Sequence, residues 1–277
     1  MKKFAVIGKP IEHSLSPTIH LEFAKEAGID ITYDAIEADP NKFYSLARAL
    51  LEEGYEGLNI TLPLKELAFN FADQVSVMGN QTEAVNTLWR QDGKVYADST
   101  DGAGLLKDLE ANNLSVESSN LIILGAGGAA RSIIPSLLEL KPKRLFILNR
   151  TAEKSLYLAR KYKNNSIEIR TSFDNTTDSF LKEGPNTIIN TTSSGTRNED
   201  LQIPDFNKGL FSEMLWAYDL SYSNKTTPFN KLAREFGCTV CLDGLGMLVN
   251  QAAASFEIWT GIKPSTERPL SLIRKKL

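Results

Sequence analysis

Leu121-Ile122-Ile123-Leu124-Gly125-Ala126-Gly127-Gly128-Ala129-Ala130 is the stretch on which the reading of this chain turns. Four consecutive apolar residues predict a strand, and the glycines at 125, 127 and 128 predict a tight turn opening a helix over 129–140. In that order the pattern leaves backbone N–H groups and a helix N-terminus free to approach a pyrophosphate. Any tight strand-to-helix turn favours glycine, so the pattern takes its meaning from the strand before it and the helix after it.

Working outward, apolar β-type runs recur downstream at 144–148, 166–169, 187–190 and 217–220. Upstream they lie at 4–7, 31–36 and 58–62, with helical stretches from Pro17, at 41–51 and at 64–72. Alternation of this kind means βαβ units and mostly parallel sheets. Residues 86–89 and 94–96, split by Asp92-Gly93, predict a hairpin. Leu248, Ala252, Phe256 and Trp259 fall at helical spacing, so a helix over 245–259 is expected to pack back on the first domain. A chain of 277 residues suits two domains at roughly 150 residues each. The expected fold is α/β: an open, mostly parallel substrate-binding and catalytic domain (1–102 plus 240–277) and a Rossmann-type dinucleotide-binding domain (103–239).

Composition narrows the function. The net charge is −3 and the pI about 5.6, so no basic excess exists to neutralise a nucleic-acid backbone. No run approaches the ~20 apolar residues that span a bilayer, and the N-terminus reads as neither signal peptide nor anchor. Cys238 and Cys241 are the only cysteines and form a lone C-x-x-C. On a strand, positions three apart point to opposite faces, which would aim one thiol away from the other. With only His13 and His20 besides, no metal site is expected, and so few cysteines fit a reducing cytoplasm. Oligomeric state is left open, with a homodimer as one option.

The residues after the second Rossmann strand bear on the cofactor. Where an NAD enzyme commonly places an acidic residue on the ribose, this chain has Asn149-Arg150-Thr151, with Lys154 one turn later. Singly, Arg150 could end a strand and Lys154 could be a solvated helix charge. Together at that place they favour a 2′-phosphate, and so NADP.

Three clusters suit a small polar acid. Ser16 can cap a helix whose first turn holds Pro17, but capping leaves Ser14 unexplained, and two hydroxyls beside a helix N-terminus suit a carboxylate. Asn59-Ile60-Thr61-Leu62-Pro63-Leu64-Lys65 ends a strand and puts Lys65 in the first turn of a helix, against the dipole, at a cost of a few tenths to ~1 kcal/mol. Asp98-Ser99-Thr100-Asp101-Gly102 offers Asp101 either as a helix cap or as a partner for that lysine.

With these motifs in order, the chain resembles the shikimate dehydrogenases nearly end to end. The likeness is carried by residues 8–17, 59–65, 84–87, 100–102, 125–130 and 149–151, and by Asp243-Gly244-Leu245-Gly246-Met247-Leu248-Val249 with Gln251. The resemblance implies NADPH-dependent reversible reduction of 3-dehydroshikimate to shikimate, in aromatic amino-acid and chorismate biosynthesis. It implies that Lys65 and Asp101 form the catalytic pair and that Ser14 and Ser16 hold the substrate carboxylate. Asn59, Thr61, Asn86, Gln251 and Tyr222 would complete the substrate site. The cofactor would lie on Gly125, Ala126, Gly127, Gly128 and Ala129, on Asn149, Arg150, Thr151 and Lys154, on Thr191 and Thr192 in a motif running to Gly195, and on Gly244 and Met247. Hydride addition to a ketone leaves negative charge on oxygen, which an ammonium can stabilise and protonate, so the proton-transfer role is given to the pair. The chain departs from the pattern at Lys9, Glu83 and Ser99, where the family often has asparagine, glycine and asparagine.

Three rivals differ in what they require. A quinate/shikimate dehydrogenase using NAD calls for an acidic residue in place of Arg150. A non-catalytic dinucleotide sensor predicts a missing catalytic residue, yet Lys65 and Asp101 are both present. A folate-interconverting dehydrogenase leaves Ser14, Ser16 and the Gln251 motif without a purpose.

Overall fold

β1 (Lys2–Gly8) is apolar from Phe4 to Ile7, and its last five residues are buried. That pattern follows from its place: it pairs in parallel with β2 (Ile31–Glu37) on one side and β3 (Tyr55–Ile60) on the other. The sheet continues through β4 (Gln74–Val75), β5 (Thr87–Gln91) and β6 (Lys94–Asp98) in the order β2-β1-β3-β5-β6-β4. β5 runs antiparallel to both β3 and β6, and the β5–β6 hairpin turns on Asp92 and Gly93 at φ 50° and 75°. The computed structural model describes residues 1–163, 168–171, 182–192, 211 and 213–277. The chain divides into two compact units, Met1–Lys107 with Met247–Lys276 (unit 1) and Asp108–Gly246 with Leu277 (unit 2).

The helix Leu245–Thr260 runs into unit 1 and packs on its sheet, as its spacing predicts. Phe256 is fully buried, and the Trp259 ring stacks on Phe4 at 4.8 Å. Trp259 also donates its indole N–H to the Leu88 carbonyl at 3.1 Å.

Among the described residues, unit 2 holds a second six-stranded sheet of β7 (Asn120–Leu124), β8 (Arg144–Leu148), β9 (Glu168–Arg170), β10 (Asn186–Asn190), β11 (Met214–Asp219) and β12 (Cys241–Asp243). Every pairing is parallel, in the order β12-β11-β10-β7-β8-β9. Counted from β7 this is the doubly wound dinucleotide order, with β7 and β10 at the point where the winding reverses. All five residues of both β7 and β10 are buried. The expected α/β class with a Rossmann-type half is therefore the class observed. Of the strand expected at 166–169, positions 168 and 169 fall in β9, and the first two positions lie outside the described residues.

The cysteine pair departs from expectation. Only Cys241 is on a strand; Cys238 sits in the turn after the helix Pro228–Glu235. The chain therefore folds between them, and Cys241 Sγ turns back toward Cys238, donating to its carbonyl at 3.6 Å. Among the described residues no helix is long and apolar enough to cross a membrane, and no group of three or more His, Cys, Asp or Glu side chains could hold a metal.

Candidate active site

In unit 1 the connections from the carboxyl ends of β1 and β3 lead to opposite sides of the sheet, which opens a crevice there. The two loops are tied together: Lys9 N–H donates to the Leu62 carbonyl at 2.9 Å, and a Cβ at Gly8 would stand 2.2 Å from the Thr61 methyl. The peptides Lys9-Pro10 and Leu62-Pro63 are both cis.

Lys65 is the first residue of the helix Lys65–Phe71, and Asp101 the first of Asp101–Ala111. Their side chains meet, with Lys65 Nζ 2.5 Å from Asp101 Oδ2 and only 16% and 6% exposed. The carboxylate thus offsets a lysine placed against its own helix dipole. Asp101 is not merely a cap: its other oxygen accepts from Asn86 Nδ2 at 3.2 Å.

Asn86, buried between β3 and β6, organises the rest. Its Nδ2 also donates to Thr100 Oγ1 at 2.8 Å and Gln251 Oε1 at 2.9 Å, while its Oδ1 accepts from the Thr100 N–H at 2.8 Å. Gln251 reaches this cluster because the helices Asp101–Ala111 and Leu245–Thr260 touch at Gly104, where a Cβ would lie 2.7 Å from the Gln251 backbone N. Asn59 lies behind Asn86, donating to the Asn86 carbonyl at 3.1 Å and to Ser255 Oγ at 3.0 Å, and accepting from the Tyr33 hydroxyl at 2.6 Å. Both its donors and its acceptor are engaged inside the unit. A continuous polar chain therefore runs from Tyr33 through Asn59 and Asn86 to Asp101.

Ser16 is the first residue of its helix and makes no cap. Leu15 occupies the cap position, and Ser14 Oγ accepts the Ser16 N–H at 3.3 Å. Of the expected site residues, unit 1 thus gathers Asn59, Asn86, Asp101, Lys65 and Gln251 in one network, with Thr61 on the loop after β3 and Ser14 and Ser16 on the segment that follows β1. Tyr222 belongs to unit 2, on the loop after β11, where burial raises its phenol above the ordinary value.

The dinucleotide turn of unit 2 lies at the β7/β10 reversal. Gly125 takes φ 103°, and a Cβ there would stand 2.5 Å from Thr191 Oγ1, so glycine is required twice over. Thr191 is held by its N–H and hydroxyl, both donating to the Leu124 carbonyl, at 2.8 and 2.7 Å. The helix Gly128–Glu139 starts at Gly127 without a side-chain cap, and space beside Gly127 is open. Its first N–H groups are therefore available to an anion. Ala126 is buried and Ala129 lies in the first turn. At the end of β8, Asn149 Nδ2 donates to the Thr151 carbonyl at 2.9 Å, and Arg150 and Lys154 are both exposed. Thr192 donates its N–H and hydroxyl to Asn190 Oδ1, and Asn190 in turn donates to Asp219 at 3.0 Å. Burial pushes the Asp219 carboxyl up to about 6, against the lowering effect of hydrogen bonds from Thr227, Ser221 and Asn190. Gly244 closes on the Leu220 carbonyl, which a Cβ would meet at 2.1 Å, while Met247 falls in unit 1. The part of the Thr191 motif from Ser193 to Gly195 lies outside the described residues.

Comparison with known proteins matches residues 6–88 to the shikimate dehydrogenase substrate binding domain, 106–200 to shikimate / quinate 5-dehydrogenase and 244–268 to the shikimate 5'-dehydrogenase C-terminal domain. The shikimate dehydrogenase (NADP(+)) of Chromobacterium violaceum is 41% identical over 285 residues, covering 99% of this chain and 98% of its own. The chain belongs to the shikimate dehydrogenase family. The shikimate dehydrogenase (NADP(+)) of Vibrio atlanticus is 38% identical over 276 residues, covering 99% and 97% of the two chains. The crystal structure of the Thermus thermophilus shikimate 5-dehydrogenase in complex with NADP(H) and shikimate superposes with a TM-score of 0.85 at 30% identity, covering 100% of both chains.

Against the family pattern, the departures have structural places. Glu83 ends the helix Val77–Thr82 in the left-handed region at φ 51°, where glycine carries no strain. Lys9 pairs on the surface with Asp39 and Glu37, and Ser99 is buried beside Asp98, whose carboxylate accepts its N–H at 2.7 Å. Sequence reasoning overlooked Tyr33, Thr100 and Ser255. Their only signal is polarity at positions where the β-period and the helical period predict burial.

Proposed function

We propose that the chain catalyses the NADPH-dependent, reversible reduction of 3-dehydroshikimate to shikimate on the route to chorismate and the aromatic amino acids. The observation that carries this reading is the Lys65–Asp101 pair, 2.5 Å apart, mostly shielded from water and fixed by Asn86 at the carboxyl end of the unit 1 sheet. NADPH supplies the hydride when bound. Gly125, Ala126, Gly127, Gly128 and Ala129 would hold its pyrophosphate, and Asn149, Arg150, Thr151 and Lys154 its 2′-phosphate, which suits two exposed cations. Thr191, Thr192, Gly244 and Met247 would border the nicotinamide ribose.

Within unit 1, the Lys65 ammonium stabilises the oxygen that gains charge and gives it a proton, while Asp101 orients that ammonium and accepts a substrate hydroxyl. Asn86, Gln251 and Thr61 hydrogen-bond further hydroxyls, and Ser14 and Ser16 take the carboxylate. Asn59, its polar atoms already engaged, braces Asn86 instead of reaching substrate. The free thiols of Cys238 and Cys241 suit a cytoplasmic location.

The test is absorbance at the nicotinamide band with purified protein, offering shikimate or quinate with NADP or NAD. Shikimate with NADP should react fastest. Reaction confined to quinate with NAD would overturn the assignment.

A further inference from the structure

The helix Pro228–Glu235 is stopped by a left-handed glycine, Gly237 at φ 102°, whose N–H returns to the Arg234 carbonyl at 3.1 Å. The next N–H, that of Cys238, bonds the Ala233 carbonyl at 2.9 Å, and the chain then reverses into β12 at Cys241. This termination draws the two cysteines together. Cys238 Sγ donates to the Val240 carbonyl at 3.4 Å, and Cys241 Sγ turns back over the bend to donate to the Cys238 carbonyl at 3.6 Å. Arg234, in the last turn of that helix, places its positive charge near Cys241.

Exposure divides the pair. Cys238 is 2% exposed, whereas Cys241 is partly open beside Val240, itself 40% exposed. Neither has a part in the sites described above, and among the described residues no further ligand joins the two thiols to make a zinc site.

We propose that Cys238 and Cys241 form a thiol–disulfide exchange site in unit 2, in which Cys241 attacks a low-molecular-weight disulfide and Cys238 resolves the product. The Cys241 thiolate displaces one thiolate from the disulfide, forming a mixed disulfide on Cys241. Cys238 then loses its proton and attacks Cys241 Sγ, expelling the second thiol. The chain gives up two electrons and two protons, and the disulfide becomes two thiols. The environment supports this division of labour. The Cys238 thiol and then the Arg234 guanidinium lower the Cys241 thiol below its ordinary value, against burial, while the neighbouring Cys241 and burial raise Cys238. A thiolate on the open side with its resolving thiol protected is the arrangement that exchange chemistry requires.

The experiment exposes the full chain to oxidised glutathione at neutral pH, alkylates the remaining thiols after denaturation and measures intact mass. The wild type should lose both free thiols, become two hydrogens lighter and retain no glutathione. Cys238→Ser should retain one glutathione on Cys241, Cys241→Ser should retain none over the same exposure, and Arg234→Ala should react several-fold more slowly. The proposal fails if both wild-type thiols remain alkylatable, if the adduct forms first on Cys238, or if the disulfide links two copies of the chain.

Discussion

Acidification should destabilise unit 1 through one residue, His20. Its ring is 0% exposed, stacked on Tyr33 at 4.4 Å and surrounded by Phe23, Phe256 and Trp259. Neither ring nitrogen has a well-formed hydrogen bond, and burial lowers its pKa from 6.5 to about 3, outweighing the opposing influence of nearby Asn59. Because the folded value lies below the unfolded one, the stability that neutral His20 contributes is fully present above pH 6.5 and is lost as pH falls toward 3. At about 1.4 kcal/mol per pH unit the whole span is worth about 5 kcal/mol, of which about 2 kcal/mol is lost by about pH 5. The assay is urea unfolding between about pH 7 and 5, followed by the fluorescence of Trp89 and Trp259, both in unit 1. His20→Phe, a ring of similar size that cannot take a proton, should remove that part of the pH slope. Identical slopes in the two proteins, or a ring titrating near its unfolded value in the folded chain, would refute the argument.

Three substitutions test other parts of the account. Arg150→Asp should move cofactor preference from NADP toward NAD by ~1–3 kcal/mol, the scale of a charge-assisted hydrogen bond, read from kcat/KM for each cofactor. Gly104→Ala forces a Cβ to 2.7 Å from the Gln251 backbone, so it should cost about 1–3 kcal/mol in urea unfolding and raise KM for shikimate. Gly125→Ala meets both φ 103° and Thr191 Oγ1 at 2.5 Å, and should weaken NADP binding in titration calorimetry while leaving the unfolding of unit 1 unchanged.

What the sequence made legible was local. The β7 run, its glycine turn and the helix behind it needed only periodicity and turn chemistry, and β8 was readable to the residue, because the positions that define them are adjacent in the chain. The hairpin at Asp92-Gly93 was readable for the same reason. The brace behind the catalytic pair was not. Asn59 meets Tyr33 from 26 residues away and Ser255 from 196 away, and no spacing rule connects such positions. The partners that Asn59 makes inside unit 1 are therefore invisible in its local sequence. Ser16 shows a smaller displacement of the same kind, since the helix includes it and leaves Ser14 to accept its N–H. The cysteines were misread because the strand rule was extended three residues too far. Gly237 ends the preceding helix with a reversal, and a turn brings side chains together that a strand would separate.

The central claim is that Lys65 and Asp101 act as one proton-transferring unit. Turnover of shikimate with NADP should be measured for Lys65→Ala, Asp101→Ala and the double variant, with substrate binding determined separately. Each single change should lower kcat by about 10²–10⁴-fold, and the double should cost no more than the worse single, because groups that work as a unit lose their function together. Losses that multiply in the double variant, or a single variant that turns over normally, would contradict it.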